Sequence, residues 1–214
     1  MKKIILASAT AIAMMLPATA NAAVTIFTDE TAFDAAAGPT MLEDFNAFVA
    51  ETRFDLAPLV IGDQTFSQVG SSNNPSQNYV GPFGTGFDVN GTPSVSGRIS
   101  DGGSIFITFA NAITSWGATF NEINDGVARS TLFVAGEEIA PADGFFGFVS
   151  DTAFTSLEIR ALAGRDDGFA FDDVKFGAAA VPEPATWAFM ILGFGAIGGA
   201  MRRQRKANVK VSFA

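Results

Sequence analysis

The feature of this sequence that most restricts its fold is the grouping of apolar residues between positions 23 and 180. They occur in short runs, many of them alternating with polar residues, and segments rich in Gly, Asn, Asp and Ser separate the runs. This pattern is typical of β-strands, since an amphipathic helix repeats every three or four positions over a longer stretch. The predicted strands are residues 24–28, 41–49, 65–69, 79–83, 95–99, 104–110, 114–121, 127–134, 145–150, 156–161 and 169–176. So many short strands predict an all-β domain, either a β-sandwich or a barrel.

Phenylalanine supplies most of the predicted core. Of the 22 Phe residues, 19 lie between positions 23 and 184, enough large apolar volume to fill the space between two sheets. One short helix is predicted at residues 29–37, with Thr28 as its N-cap and Gly38 and Pro39 at its end. The predicted turns are Asn90-Gly91, residues 101–103, residues 124–126, Ala135-Gly136 and Asp166-Asp167-Gly168.

Composition excludes several kinds of chemistry. The sequence has no Cys and no His, which rules out a catalytic thiol, a Ser-His-Asp triad, an imidazole or thiolate zinc site and any disulfide. Residues 23–184 contain six basic residues and all 22 acidic ones, a net charge of −16. Because so acidic a surface repels phosphate, nucleic acid is not expected as a partner.

The N-terminus has the pattern of a secretory signal. Two lysines precede the apolar run 4–16, and Ala20 and Ala22 have the spacing of an A-x-A cleavage site. An uncleaved anchor helix is the alternative, but 13 apolar residues are few for a membrane span. We therefore predict that residues 1–22 are a cleaved signal peptide and that the domain 23–180 functions outside the cytoplasm.

The C-terminus combines three signals in order. They are the rigid tripeptide Pro182-Glu183-Pro184, the uncharged run 185–201, and the basic cluster Arg202, Arg203, Arg205 and Lys206. A helix over 185–201 would be about 25 Å long, the short end of what crosses a bilayer. The positive-inside rule predicts that the basic cluster stops transfer and that the tail 207–214 is cytoplasmic. The sequence thus predicts one C-terminal transmembrane helix in the unprocessed chain.

The same segment resembles a known sorting signal. The tripeptide, a Trp-Ala pair, a Gly-rich apolar span and a basic end resemble the PEP-CTERM protein-sorting segment in its PEPxxWA variety, which is also labelled an ice-binding protein C-terminal motif. The matching residues are Pro182, Glu183, Pro184, Trp187 and Ala188, within a predicted segment 181–206. The tail 207–214 is longer than is usual for this segment.

The resemblance implies a partner and a destination. An exosortase, a membrane-embedded cysteine transpeptidase, would recognise residues 182–184, cut nearby, and release or transfer the domain to the envelope or exopolysaccharide of a Gram-negative bacterium. An inner-membrane-anchored precursor would then become a cell-surface or extracellular protein, and the associated setting is biofilm. The alternative is a permanently anchored surface receptor that is never processed.

The predicted last strand contains a break in its periodicity. Phe169 and Phe171 have one parity, whereas Val174 and Phe176 have the other, so one regular strand cannot bury all four side chains. A β-bulge at residues 172–173 would resolve this conflict.

A second resemblance concerns the end of the domain. Residues 145–151, 154–160 and 167–176, which include an Asp-Asp-Val strand, resemble the last strands of carbohydrate-binding jelly rolls. This implies a lectin-like, jelly-roll-like sandwich that binds polysaccharide. In such modules the region holds a structural calcium together with an acid of the first strand. The candidate calcium ligands here are Glu43, Asp44, Asp172 and Asp173, and the alternative is that they are solvated acids at strand ends.

The remaining candidates concern ligand binding and catalysis. Tyr79 lies in the loop-rich stretch 70–93 and is the candidate surface aromatic for sugar stacking, whereas Trp116 is predicted to be in the core. The best candidates for a glycosidase-type carboxylate pair are Glu122, Glu137, Glu138 and Glu158, and no spacing among them singles out an acid and a base. We therefore predict a non-catalytic structural or adhesive protein of the envelope or extracellular matrix. The alternative is a secreted carboxylate-dependent glycoside hydrolase with the same tag.

Overall fold

The computed structural model describes residues 23–82, 89–177 and 184–205. The elements are β1 (Val24–Phe27), α1 (Glu30–Ala37), β2 (Met41–Glu43), β3 (Thr52–Arg53), β4 (Leu59–Ile61), β5 (Gln64–Val69), a 3-10 turn (Pro75–Gln77), β6 (Tyr79–Gly81), β7 (Ser94–Ser100), β8 (Ser104–Asn121), β9 (Ser130–Val134), β10 (Glu137–Ile139), β11 (Gly144–Ala161), β12 (Asp166–Gly177) and α2 (Pro184–Arg205). Several predicted features lie outside the described residues. They are the signal peptide with Ala20 and Ala22, the motif residues Pro182 and Glu183, and Lys206 with the tail 207–214.

The domain is an antiparallel β-sandwich, as predicted, and two long strands connect its layers. β8 and β11 have 18 residues each. The first half of β8 lies between β5 and the second half of β11, and β9 and β10 continue this first layer. The second half of β8 lies between the first half of β11 and β12 in a second layer, which β1, β2, β7, β6 and β3 complete.

The two long strands correct the predicted strand boundaries. Residues 104–110 and 114–121 belong to one strand, as do 145–150 and 156–161. The pairing of β11 with β8 shifts register between Val149 and Ser156, where both strands pass from one layer to the other. The polar interruptions in the sequence therefore mark bends rather than turns.

Aromatic side chains from both layers meet in the core. Phe66 of β5 lies 6.3 Å from Phe171 of β12, measured between ring centroids, and Phe109 of β8 lies 5.4 Å from Phe176. Trp116 is fully buried, which confirms its predicted place in the core. These contacts between large side chains stabilise the sandwich in the absence of disulfides.

The predicted bulge is present in β12. Asp172 pairs with Thr119, but Lys175 pairs with Gly117, so β12 has one extra residue between these pairs. Asp173 has a φ of 52°, in the left-handed region. The bulge reverses the parity of β12, and the apolar side chains before and after it are all buried.

Helix α1 begins one residue later than predicted. Its N-cap is Asp29, not Thr28, since the Asp29 carboxylate accepts a hydrogen bond of 2.7 Å from the Ala32 N–H. Gly38, with a φ of 71°, ends the helix as predicted. Lys175 of β12 forms ion pairs with α1, with its Nζ 2.7 Å from Glu30 and 2.8 Å from Asp34.

Candidate binding groove and sorting segment

The open edge of the sandwich contains a groove. In the second layer β2 pairs with the end of β12, with Met41 opposite Phe176, and in the first layer the β4–β5 hairpin forms the facing edge. Between these edges lie two adjoining cavities of about 330 and 230 Å³, which share the side chains of Met41, Asp63 and Phe176. We call the two cavities together the groove. The volume of the larger cavity is at the lower end of the range for small-ligand sites, and that of the smaller cavity is below it.

The groove has an apolar floor and a polar rim. The floor is formed by Phe109, Ile113 and Phe176, all of which are buried. The rim residues Asp63 and Asn111 are exposed. A surface that joins apolar and hydrogen-bonding groups in this way can bind an amphipathic molecule, with its apolar face on the floor and its polar groups at the rim.

Two polar groups of the groove have distinctive environments. The Gln64 side chain lines the smaller cavity and is 1% exposed, and its Oε1 has no hydrogen-bond partner among the described residues. Asp63 lines both cavities, and its backbone carbonyl accepts a hydrogen bond of 2.8 Å from the Ala110 N–H. Gln64 thus places a buried, unpaired acceptor beside the smaller cavity, and Asp63 places a carboxylate on a fixed backbone at the rim.

The bulge of β12 buries a carboxylate. Asp172 is fully buried and accepts hydrogen bonds from the Asp173 N–H at 2.7 Å and from Thr92 Oγ1 at 2.9 Å. Asn90 donates to Asp173 over 3.3 Å. Burial raises the pKa of Asp172 to about 6, although both hydrogen bonds favour its ionised form.

The predicted calcium ligands are only partly brought together. β2 does lie beside β12, with Glu43 opposite Val174. However, the Glu43 carboxylate accepts a hydrogen bond of 3.1 Å from the Phe45 N–H, and the Asp44 carboxylate accepts one of 3.1 Å from the Asn46 N–H. The bulge acids, Asp172 and Asp173, instead accept hydrogen bonds from the loop at residues 90–92. The hydrogen bonds from Asn46 lower the pKa of Asp44. Among the described residues no three acidic side chains are close enough to hold a metal ion together. The structure therefore does not assemble the predicted set Glu43, Asp44, Asp172 and Asp173.

The prediction that Tyr79 is a surface aromatic was wrong. Tyr79 is 4% exposed and lies in β6, where it pairs with Ser96 of β7. β6 has strands on both sides, since β3 pairs with its other edge. A strand was predicted at residues 79–83, but the loop-like composition of residues 70–93 concealed its interior position in the sheet.

The predicted turn at residues 166–168 was also wrong. These residues begin β12, and Asp167 is 1% exposed. Asp167 accepts a hydrogen bond of 3.3 Å from the Asn124 N–H, and burial raises the pKa of Asp167. The Asn124 carboxamide accepts from the Arg129 and Ser130 N–H groups at 2.6 Å and donates to the carbonyls of Ser130 at 3.0 Å and Pro141 at 2.9 Å. We call Asn124 and its bonded partners the Asn124 cluster.

The candidate catalytic carboxylates lie in different surroundings. Glu158 is bound by Arg160, whose Nε lies 2.8 Å from Glu158 Oε1, and by Ser104 Oγ at 2.6 Å. Glu137 and Glu138 are exposed on the short strand β10, and Glu122 is exposed just after β8. Glu158 is therefore engaged in an ion pair. Glu138 lies on the same face of the sheet as Glu158, since both are opposite Phe133 of β9.

The sorting segment is helical in its described part. α2 starts at Pro184, the first-turn position that favours proline, and contains Arg202, Arg203 and Arg205 near its end. Within the described residues, neither helix has the length and apolar character needed to cross a membrane. The transmembrane helix predicted at 185–201 is therefore not confirmed.

Comparison with known proteins identifies this segment. The family model of the PEP-CTERM protein-sorting motif matches residues 180–206. The chain carries a PEP-CTERM sorting motif. The PEP-CTERM motif indicates an exported bacterial protein that is processed by an exosortase and sorted to the cell surface. No curated protein and no solved structure matches the chain.

The groove was missed at the sequence level. Its residues come from positions 39–43, 61–64, 109–113 and 176–177, which only the strand pairing brings together. The motif of the PEP-CTERM segment, in contrast, is contiguous and could be identified directly. The roles predicted for Trp187 and Ala188 in recognition by the exosortase stay predictions.

Proposed function

We propose that the exported domain is a non-catalytic structural or adhesive module of the cell envelope or extracellular matrix, and that it binds polysaccharide in the groove. The PEP-CTERM motif supports the destination. The observation that carries the binding proposal is the groove, because its buried apolar floor and exposed polar rim match the apolar face and the hydroxyl-bearing edge of a sugar ring.

Delivery follows from the motif. We propose that the exosortase cuts near residues 182–184 and that the domain is then released or attached to the envelope or exopolysaccharide. Mass spectrometry of the mature C-terminus, from cells with and without the exosortase, tests this step. A chain that ends near residue 184 only when the enzyme is present is expected. An intact C-terminus in both strains would support a permanently anchored receptor instead.

The surroundings of the carboxylates support a non-catalytic role. Glycosidase chemistry needs two carboxyl groups on either side of one bond, about 5–10 Å apart. Glu158 is held by Arg160 and Ser104, so its carboxylate is already engaged by a cation and a hydroxyl group. Reducing-end assays with the mature protein and soluble polysaccharides are expected to show no turnover. Turnover that disappears in one Glu→Gln variant would support the hydrolase instead.

Polysaccharide binding is tested by blocking the groove. Ala112 is exposed and lines the larger cavity, so Ala112→Trp fills the groove without disturbing the core. The matched control is Ala128→Trp, because Ala128 is also exposed but lies in the loop that follows β8, next to the Asn124 cluster. Retention on polysaccharide prepared from the producing cells should be lost in Ala112→Trp and kept in Ala128→Trp. If the unaltered protein is not retained, the binding proposal fails.

A further inference from the structure

We propose that the groove selects neutral polysaccharide and discriminates against chains that carry carboxylate or sulfate groups. This inference rests on the proposed function and names the ligand class of the same site.

The charge of the groove is the first argument. Among the described residues that line it, two are acidic, Glu43 and Asp63, and none is Lys or Arg. The surrounding domain adds to this field, since residues 23–184 carry a net charge of −16. An anionic sugar would enter a negative potential with no cation to pair with.

The position of Asp63 makes the discrimination local. Asp63 lines both cavities, so a chain that occupies the whole groove must pass this carboxylate. Its backbone is held by the bond to Ala110, which limits how far the segment can move away. A like charge at 4 Å costs about 1 kcal/mol in water and more near a protein surface, which corresponds to binding at least about fivefold weaker. This difference is expected to shrink at high salt, because the rim is solvent-exposed.

The buried acceptor of Gln64 is the second argument. Its Oε1 has no partner among the described residues, and an unpaired buried acceptor is energetically costly. A hydroxyl group can donate a hydrogen bond to this oxygen, whereas an ionised carboxylate or sulfate can only accept. The Gln64 side of the groove therefore favours hydroxyl groups because they can donate a hydrogen bond, whereas its rim disfavours anions because of its negative charge.

Matched polysaccharides test the selectivity. Polygalacturonate and alginate are compared with their carboxyl-reduced forms, which keep the linkages but lose the charge, and dextran, mannan and β-glucan complete the neutral set. Binding to the full mature protein is measured by calorimetry at 20 mM and 500 mM NaCl. For polymers that bind, the reduced form should bind at least about fivefold more tightly than its parent at low salt, with a smaller ratio at high salt.

Variants locate the effect in the groove. Asp63→Asn should reduce the ratio between reduced and parent polymers, whereas Asp125→Asn, at an exposed acid in the loop after β8, should not change it. Gln64→Met keeps the side-chain volume but removes the acceptor, so neutral binding should weaken about fivefold without loss of stability.

The outcomes separate this inference from the proposed function. Neutral selectivity would be overturned if the parent polymers bind as tightly as the reduced ones, or if Asp63→Asn leaves the ratio of the two affinities unchanged. Either result would leave polysaccharide binding intact. Neutral binding that survives Ala112→Trp would place the site elsewhere and also overturn the inference. If no polymer binds to the mature protein, including polysaccharide from the producing cells, the proposed function itself is overturned.

Discussion

The two ends of β12 are built in opposite ways. At its start, Asp167 is buried against the Asn124 cluster, whose carboxamide makes four hydrogen bonds to neighbouring backbone groups. At its end, Phe176 and Gly177 line a groove whose rim is exposed. The first end uses polar side chains to fix a loop, while the second leaves the polar groups of the rim exposed. Substitutions at the first end should therefore change stability, and those at the second should change binding.

The largest effect is expected for Asn124→Ala. The change leaves four backbone groups without their partner and places Ala at a φ of 58°. The free energy of unfolding should fall by about 3 kcal/mol or more. Urea denaturation measures this, with Asn111→Ala at the exposed groove rim as the matched control, expected within about 0.5 kcal/mol of the unaltered protein. Equal losses in both variants would remove the distinction between the two ends.

A pH-dependent effect is expected at the bulge, close to the groove. The pKa of Asp172 is raised from 3.8 to about 6 in the folded protein, so folding favours its protonated form. Its contribution to stability is therefore complete below pH 3.8 and is lost as the pH rises through 6. The loss is roughly 3 kcal/mol. Asp172→Asn removes the titrating group, so its stability should decline less between pH 4 and pH 8 than that of the unaltered protein.

The measurement for Asp172 is urea denaturation at several pH values. Asp125→Asn serves as the control for the loss of one negative charge, because Asp125 is exposed. If Asp172→Asn and Asp125→Asn show the same pH dependence, ionisation of the buried carboxylate does not control stability.

The smallest effect is expected for Asp167→Asn. Burial raises the pKa of Asp167, so its ionised form destabilises the fold at neutral pH. An amide can still accept the bond from the Asn124 N–H, and stability at pH 7 should rise by about 1 kcal/mol. Thermal melting at pH 7 compares this variant with Asp63→Asn, where an exposed carboxylate is replaced and little change is expected. A lower melting temperature for Asp167→Asn would show that the charge stabilises this end.

The sequence predicted features that depend on local periodicity. The conflict of parity among the apolar residues of the last strand located the bulge at residues 172–173, and the apolar neighbours of Trp116 placed it in the core. The turn predicted at residues 166–168 was wrong, because an Asp-Gly pair favours a turn only where its backbone is not paired with another strand. In the structure Gly168 lies opposite Arg98, and pairing with β7 keeps the segment extended.

The groove could not be predicted because it depends on register. Met41 reaches Phe176 only through the pairing of β2 with β12, and Asp63 reaches Phe109 through the pairing of β5 with β8. The burial of Tyr79 was missed for a related reason, since it depends on the pairing of β6 with β7 on one side and with β3 on the other. In contrast, the sorting motif needs no tertiary contact to be identified.

Gly177 connects the groove to the sorting motif along the chain. It lines the groove and is the last residue of β12, and five steps along the chain lead from it to Pro182. A fully extended chain covers at most about 3.6 Å per residue, so Pro182, the first residue of the tripeptide, can be no more than about 18 Å from Gly177. An exosortase that recognises the tripeptide before cleavage would therefore act close to the proposed binding groove.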